Sequence, residues 1–240
     1  MTLFRKVFLG RVFFRKVWLA FLSPLFIFLA ASPLHSDAMA PSGPPVSKDL
    51  KVALDRLQRH YRETHSFTAK FNEEIATVGA PKKHRQGVVS FRKPGRMRWE
   101  FETPEKQTIV SDGETLYSYD PDLNQVVETP LKQALKSSSA TSFLLGIGNI
   151  NRDFKAAFPT NAPATGLVDL ILDAKTGGYK IEVGLDPKTY TLMTLTLTDQ
   201  LGDVTKIDFS DIHDNVELAD SLFEFKTPAG ADIVTAPASP

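Results

Sequence analysis

The sequence contains no cysteine, which excludes a disulfide framework, a thiolate metal site and a lipid-modified N-terminal cysteine. It lacks an excess of either charge, with 28 Lys plus Arg against 28 Asp plus Glu. A chain so balanced is a poor match for nucleic acid. It also lacks catalytic motifs. The five histidines, His35, His60, His65, His84 and His213, form no H-E-x-x-H and no cluster of metal-ligand spacing. Ser137, Ser138 and Ser139 sit in no G-x-S-x-G elbow, and Gly146-Ile147-Gly148 lacks the third glycine and preceding strand of a dinucleotide loop. The neighbouring carboxylates Glu73-Glu74 and Asp112/Glu114 read as strand surface and turn chemistry. The chain is therefore expected to be no enzyme and to use neither metal nor cofactor.

No apolar run is long enough to span a bilayer as a helix, which takes roughly 20 residues. The longest, Val17 to Ala31, is broken by Ser23 and Pro24. It follows Arg5, Lys6, Arg11, Arg15 and Lys16 and precedes the small residues Ser36, Ala38 and Ala40. A charged region, an apolar region and a small-residue site make residues 1–40 an expected secretory signal peptide, cleaved near Ala38 or Ala40. Its removal takes away five basic residues and one acidic one, so the formal charge falls to −4. Residues 41–47, PSGPPVS, read as a flexible leader, and residues 48–235 as one domain.

Leu50, Ala53, Leu54, Leu57 and Tyr61 recur at helical spacing, with Ser47 or Asp49 placed to cap the first turn. Beyond Ser66 the period becomes two. Phe67, Ala69 and Phe71 share a face, as do Met97, Trp99 and Phe101, and later Ile181, Val183 and Leu185. Turn signals separate the runs at Lys93-Pro94-Gly95, Thr103-Pro104-Glu105, Asp112-Gly113, Asp120-Pro121-Asp122, Gly177-Gly178, Asp186-Pro187 and Leu201-Gly202-Asp203. The pattern predicts a meander of about ten antiparallel strands, curled into an open barrel or bent sheet.

Residues 131–158 break this rhythm. Leu131 with Leu135, and Ile150 with Phe154 and Phe158, predict two short helices flanking the apolar stretch Ser142 to Gly146. A curled sheet leaves a concave apolar face open, and short helices carrying Phe and Leu are suited to cover it. The helix near Leu54 is a second candidate cover. Seven basic residues, Lys82, Lys83, Arg85, Arg92, Lys93, Arg96 and Arg98, lie along the second hairpin. Such a run is commonly a solvated face. Alternation also sets Arg96 and Arg98 opposite to Met97, Trp99 and Phe101, which predicts a basic outside and an apolar inside.

Three blocks, Phe91 to Pro104 (FRKPGRMRWEFETP), Ile109 to Pro121 (IVSDGETLYSYDP) and Phe223 to Val234 (FEFKTPAGADIV), resemble the periplasmic outer-membrane lipoprotein carriers, the LolA family. The opening helix and Phe67 to Phe71 (FTAKF) support the resemblance, which spans the chain beyond the leader in matching order. It implies a mainly β fold with some helix, an unclosed antiparallel half-barrel under a short helical lid. It implies a periplasmic monomer that shelters lipoprotein acyl chains, takes them from an inner-membrane ABC release complex and gives them to an outer-membrane receptor. A lipid or glycolipid carrier of the same fold, or a lipoprotein-sensing regulatory domain, is the alternative.

On this resemblance the expected cavity lining is Phe91, Met97, Trp99, Phe101 and Leu116 from the strands, with Phe143 and Leu144 from the lid. The family's lid latch, a basic residue before the proline of the first block, corresponds to Lys93 in place of the usual arginine, with Arg92 as a second donor. Lysine is a flexible point charge where arginine offers a planar fork, so closure is expected to be weaker. Met97 stands where the family often has an aromatic, and Ser142 where it often has proline. Each buried methylene is worth about 0.8 kcal/mol, so a chain of about 15 costs roughly 12 kcal/mol in open water. A carrier must offset most of that and still release its cargo.

Overall fold

The first helix, α1 (Leu50–Glu63), forms where the apolar spacing predicts it. Asp49 caps it, its Oδ1 accepting from Lys51 N at 2.9 Å and Val52 N at 3.3 Å. The computed structural model describes residues 49–137, 150–161, 164–175 and 180–235. After α1 come β1 (Ser66–Ala76), β2 (Lys83–Arg92), β3 (Arg96–Thr103), β4 (Gln107–Asp112), β5 (Thr115–Asp120), β6 (Gln125–Pro130) and α2 (Leu131–Ser137). A single turn, α3 (Ile150–Asp153), leads to β7 (Phe154–Ala157), β8 (Val168–Ala174), β9 (Lys180–Leu185), β10 (Leu192–Thr198) and β11 (Val204–Asp214). A 3-10 turn (Asp220–Phe223) and β12 (Asp232–Thr235) complete the described chain.

The twelve strands form one sheet in the order β12-β6-β5-β4-β3-β2-β1-β11-β10-β9-β8-β7. Two antiparallel meanders, β1 to β6 and β7 to β11, meet where β1 pairs with β11. The sheet is unclosed, with β7 and β12 at its edges, and β12 joins β6 in parallel. The twelve strands among the described residues compare with the roughly ten expected. The second expected helix is the main departure: after Asp153 the chain extends, and Phe154 to Ala157 pair with Ala174 to Ile171. Ile150 and Phe154 do carry a helical spacing. The backbone groups of β8 would go unpaired beside a longer helix, and an edge strand satisfies them. Gly177-Gly178 and residues 142–146 lie outside the described residues.

Ring contacts reveal the curl. Trp99 on β3 lies 6.4 Å from Phe209 on β11, centroid to centroid, although three strand spacings separate them, about 14 Å in a flat sheet. Phe71 on β1 approaches Trp99 to 4.7 Å across two spacings. The sheet therefore bends around the face carrying Phe67, Phe71, Phe91, Trp99, Phe101 and Phe209. α1 covers part of that face with buried Ala53 and Leu57. The buried Gln58 of α1 accepts from Ile150 N at 2.9 Å and so fixes the start of α3.

The convex face carries a smaller core. Val110 and Val126 are fully buried there, and their cross-strand partners Tyr117 and Tyr119 share that face. Phe225 stacks on Tyr117 at 5.0 Å, and Phe223 is buried. The segment after β11 is thus a strap across the outside of the sheet. The basic residues of the second hairpin hold it. Arg92 donates to Leu218 O at 2.6 Å and to Asp220, with its guanidinium 5.0 Å from the Phe223 ring centroid. Arg96 reaches the same Asp220 at 2.7 Å, and Arg98 reaches Leu222 O at 3.3 Å. Hydrogen bonds from Arg92, then its charge, hold the Asp220 carboxyl below the ordinary aspartate value. The expected basic outside and apolar inside of β3 are present, and part of the basic side is engaged rather than merely solvated.

Candidate functional site

Between the C-terminal end of α1 and the concave face lies a groove with about 750 Å³ of atom-free space, part of it open to solvent. Its walls are apolar: Leu57 from α1, Phe67 and Phe91 from the first hairpin, and Leu192 and Phe209 from β10 and β11. An apolar lining with a few polar groups at its edge is the pattern of small-molecule sites. Behind the wall sits the aromatic cluster. Trp99 lies 6.0 Å from Phe91 and 6.1 Å from Phe101, and Phe71 lies 5.1 Å from Phe101. The edge-on and offset arrangements are the favoured ones for such rings.

The residues singled out in the sequence divide by depth. Phe91 lines the groove. Met97, Trp99 and Phe101 are each only 6% exposed and belong to the core cluster behind it. Leu116 on β5 is half-buried against that cluster. Phe143 and Leu144 lie outside the described residues.

The far end of the concave face is closed by polar groups. Arg85 Nε donates to buried Glu73 at 2.5 Å and its NH1 group to Gln107 Oε1 at 3.1 Å. Its guanidinium also lies 4.1 Å from the Phe101 ring centroid. Gln107 in turn donates to Ser118 Oγ at 3.3 Å. This chain terminates the aromatic cluster in a charged and hydrogen-bonded floor.

The groove's rim is polar. Lys93 donates through Nζ to Tyr61 O in the last turn of α1, and the ammonium stands 4.8 Å from the Tyr61 ring centroid. Lys93 N also donates to His65 O at 2.9 Å. A cation at a helix C-terminus meets both a terminal carbonyl and the negative end of the helix dipole. Burial lowers the Lys93 ammonium below the ordinary lysine value. Arg92, its neighbour, faces the strap on the convex side, so within this pair it is Lys93 that reaches α1. Nearby, His60 Nε2 lies 3.6 Å from Asp214 Oδ2, which accepts from Thr191 Oγ1 at 3.2 Å. Burial is the largest influence on His60 and lowers its pKa; Asp214 opposes the shift and Lys93 reinforces it.

Sequence reasoning did not assign Phe209, Glu73, Arg85, His60 or Asp214 to the site. Parity alone could have placed Phe209 with Ile207 on an inner face. Glu73 and Arg85 continue the alternation of Phe71 and Phe91, but their charge argues for the outer face until they are seen paired; Asp214 is turned inward by the register of β11 against β1, and His60 is placed by the packing of α1. Among the described residues no group of three or more His, Asp or Glu is arranged to hold a metal ion. No described helix is long and apolar enough to cross a membrane.

Residues 62–226 match the family model described as outer membrane lipoprotein carrier protein LolA. The chain is 32% identical over 183 residues to the outer-membrane lipoprotein carrier protein of Methylobacillus flagellatus, covering 75% of this chain and 88% of that protein. It is 30% identical over 221 residues to the outer-membrane lipoprotein carrier protein of Methylibium petroleiphilum, covering 91% and 97%. Among solved structures, an uncharacterized conserved protein from Thermus thermophilus superposes with a TM-score of 0.50 at 14% identity, over 78% of this chain and 98% of that one. That likeness concerns the fold alone.

Proposed function

Because the chain belongs to the outer membrane lipoprotein carrier (LolA) family, we propose that it carries lipoproteins through the periplasm by sheltering their acyl chains on the concave face of the sheet. One observation carries the reading from family to mechanism. An apolar groove opens onto a cluster of six aromatic rings between α1 and the sheet. A saturated chain needs such a surface and nothing more specific, since about 0.8 kcal/mol per methylene comes from leaving water.

Phe91 with Phe67 and Phe209 forms the entrance, and Met97, Trp99, Phe101 and Leu116 form the interior that an entering chain would displace. These side chains pack on one another, which keeps the apolar face out of water. Cargo then exchanges ring–ring contacts for ring–chain contacts. Loading and release thus approach balance, as a carrier requires. Residues 1–40 act as the export signal. An inner-membrane ABC complex supplies cargo and energy, and an outer-membrane receptor accepts the cargo. The carrier itself performs no chemistry.

Lys93 is the latch of this scheme. Its ammonium ties β2 to the end of α1 and so holds α1 over the groove. Hydrogen bonds to a charged donor contribute about 1.5–3 kcal/mol, and 1.4 kcal/mol already shifts a two-state ratio tenfold. Lys93→Ala is expected to favour the open state, raising the on-rate of a fluorescent fatty-acyl probe about tenfold and impairing lipoprotein transfer between membranes in a reconstituted spheroplast assay. Lys93→Arg is expected to preserve transfer with slower exchange, because a planar fork can reach two carbonyls. Wild-type exchange and transfer rates for Lys93→Ala would contradict the latch.

A further inference from the structure

Asp214 stands at the groove's rim for a reason visible in the register of β1 and β11. Along β11, Ile207 and Phe209 face the concave side, and uninterrupted alternation would send Asp214 outward. Between Ser210, opposite Lys70, and His213, opposite Thr68, β11 carries one extra residue. Asp211 sits there with φ 51°. This bulge reverses the parity, so Ile212 packs against the concave core and Asp214 lies opposite Phe67, on its face of the sheet. Bulges commonly re-aim side chains in this way beside functional sites.

The re-aimed carboxylate is only half used. Oδ2 accepts from Thr191 Oγ1 at 3.2 Å and has His60 Nε2 at 3.6 Å. Among the described residues, Oδ1 is buried and has no hydrogen-bond partner. A buried acceptor left unpaired costs about 1–3 kcal/mol, more when it is charged. The cations of the rim are engaged elsewhere, Lys93 at Tyr61 and Arg92 at the strap. Oδ1 has no open surface in this conformation, so only a chain that parts the side chains of the groove reaches it, and the polar group such a chain then meets is an acceptor.

We propose that Asp214 is a specificity-determining residue whose Oδ1 accepts a hydrogen bond from an N–H at the polar end of the bound acyl chain. The ligand class it selects is an amide-linked acyl chain, such as an N-acylated peptide terminus. A free fatty acid brings a carboxylate to a carboxylate, and an ester-linked chain brings no donor. This inference rests on the acyl-carrier reading and specifies which polar end accompanies the chain.

The test compares N-dodecanoylglycinamide with methyl dodecanoate, equal in acyl length, as competitors of a fluorescent fatty-acyl probe on the full chain. The quantity read is the amide-to-ester preference. Replacing Asp214 by alanine is expected to lower that preference about tenfold or more, the scale of one hydrogen bond to a charged group, while ester binding stays within about twofold. Asp214→Asn keeps an acceptor without the charge and should fall between them; it also serves if the alanine variant folds poorly. An unchanged preference in both variants overturns the proposal and leaves Oδ1 as an oxygen that meets water only. Failure of wild-type protein to bind either compound would instead sink the acyl-carrier reading, and the proposal with it.

Discussion

Gly87→Ala is expected to destabilise the protein by about 3 kcal/mol or more, the upper end of what overpacking costs. A Cβ built at Gly87 would lie 1.8 Å from Glu100 O and 2.8 Å from Glu100 C. Both are backbone atoms of the neighbouring strand β3, so no side chain can rotate out of the way. Gly87 sits where the β2–β3 register shifts, between Gln86 and Gly87, beside Phe101. Relief would have to move β3 away from β2, and with it Trp99 and Phe101. Gly79, in the β1–β2 turn, supplies the control. It has φ 78° and open space around its missing side chain, so Gly79→Ala should cost only the left-handed backbone term, about 1 kcal/mol. Urea denaturation midpoints compare the two. Equal costs would mean that the strands part easily at Gly87 and that the close approach constrains nothing.

Arg85→Ala, two residues earlier on β2, should cost about 3 kcal/mol. The Glu73 side chain is only 8% exposed, and its ion-pair partner Arg85 is 26% exposed. Removing Arg85 leaves a buried carboxylate without its charge partner, which is the expensive way to break such a pair, at about 3–5 kcal/mol. Partial access of water to Arg85 argues for the lower end. The same change removes the contact with Phe101 and the hydrogen bond to Gln107. Glu73→Leu combined with Arg85→Met removes both charges together, and should lie within about 1 kcal/mol of wild type, because uncompensated charge rather than lost attraction dominates the single variant. A double variant as unstable as Arg85→Ala would show that the pair is itself a main source of stability.

These two positions show where sequence legibility stops. α1 was readable because its apolar spacing and its Asp49 cap are local. The strands bearing Met97, Trp99 and Phe101 were readable because period two and proline or glycine turns are local as well. The basic outside of β3 was legible from alternation with Trp99, but its use was not, since Asp220 and Leu218 lie more than 100 residues away from Arg92. Phe154 was misjudged because its spacing from Ile150 fits a helix, while the demand of β8 for an edge partner is a tertiary fact. Asp214 was illegible for a related reason. Nothing in the local sequence marks the bulge at Asp211, and one inserted residue reverses every side chain after it.

If acyl chains occupy the aromatic concave face, Trp99 reports on it directly. The sequence has two tryptophans, Trp18 and Trp99, so Trp18→Phe leaves Trp99 as the sole indole. Bromine quenches indole emission at contact range. Titrating this protein with an N-acylated peptide brominated near the end of its acyl chain, beside an unbrominated twin, reads whether the chain reaches the ring. Saturable quenching of Trp99 by the brominated compound alone is expected, with the same concentration dependence as its binding. Stoichiometric binding of the brominated chain with Trp99 emission unchanged would contradict it, because the chain would then lie on some other surface of the molecule.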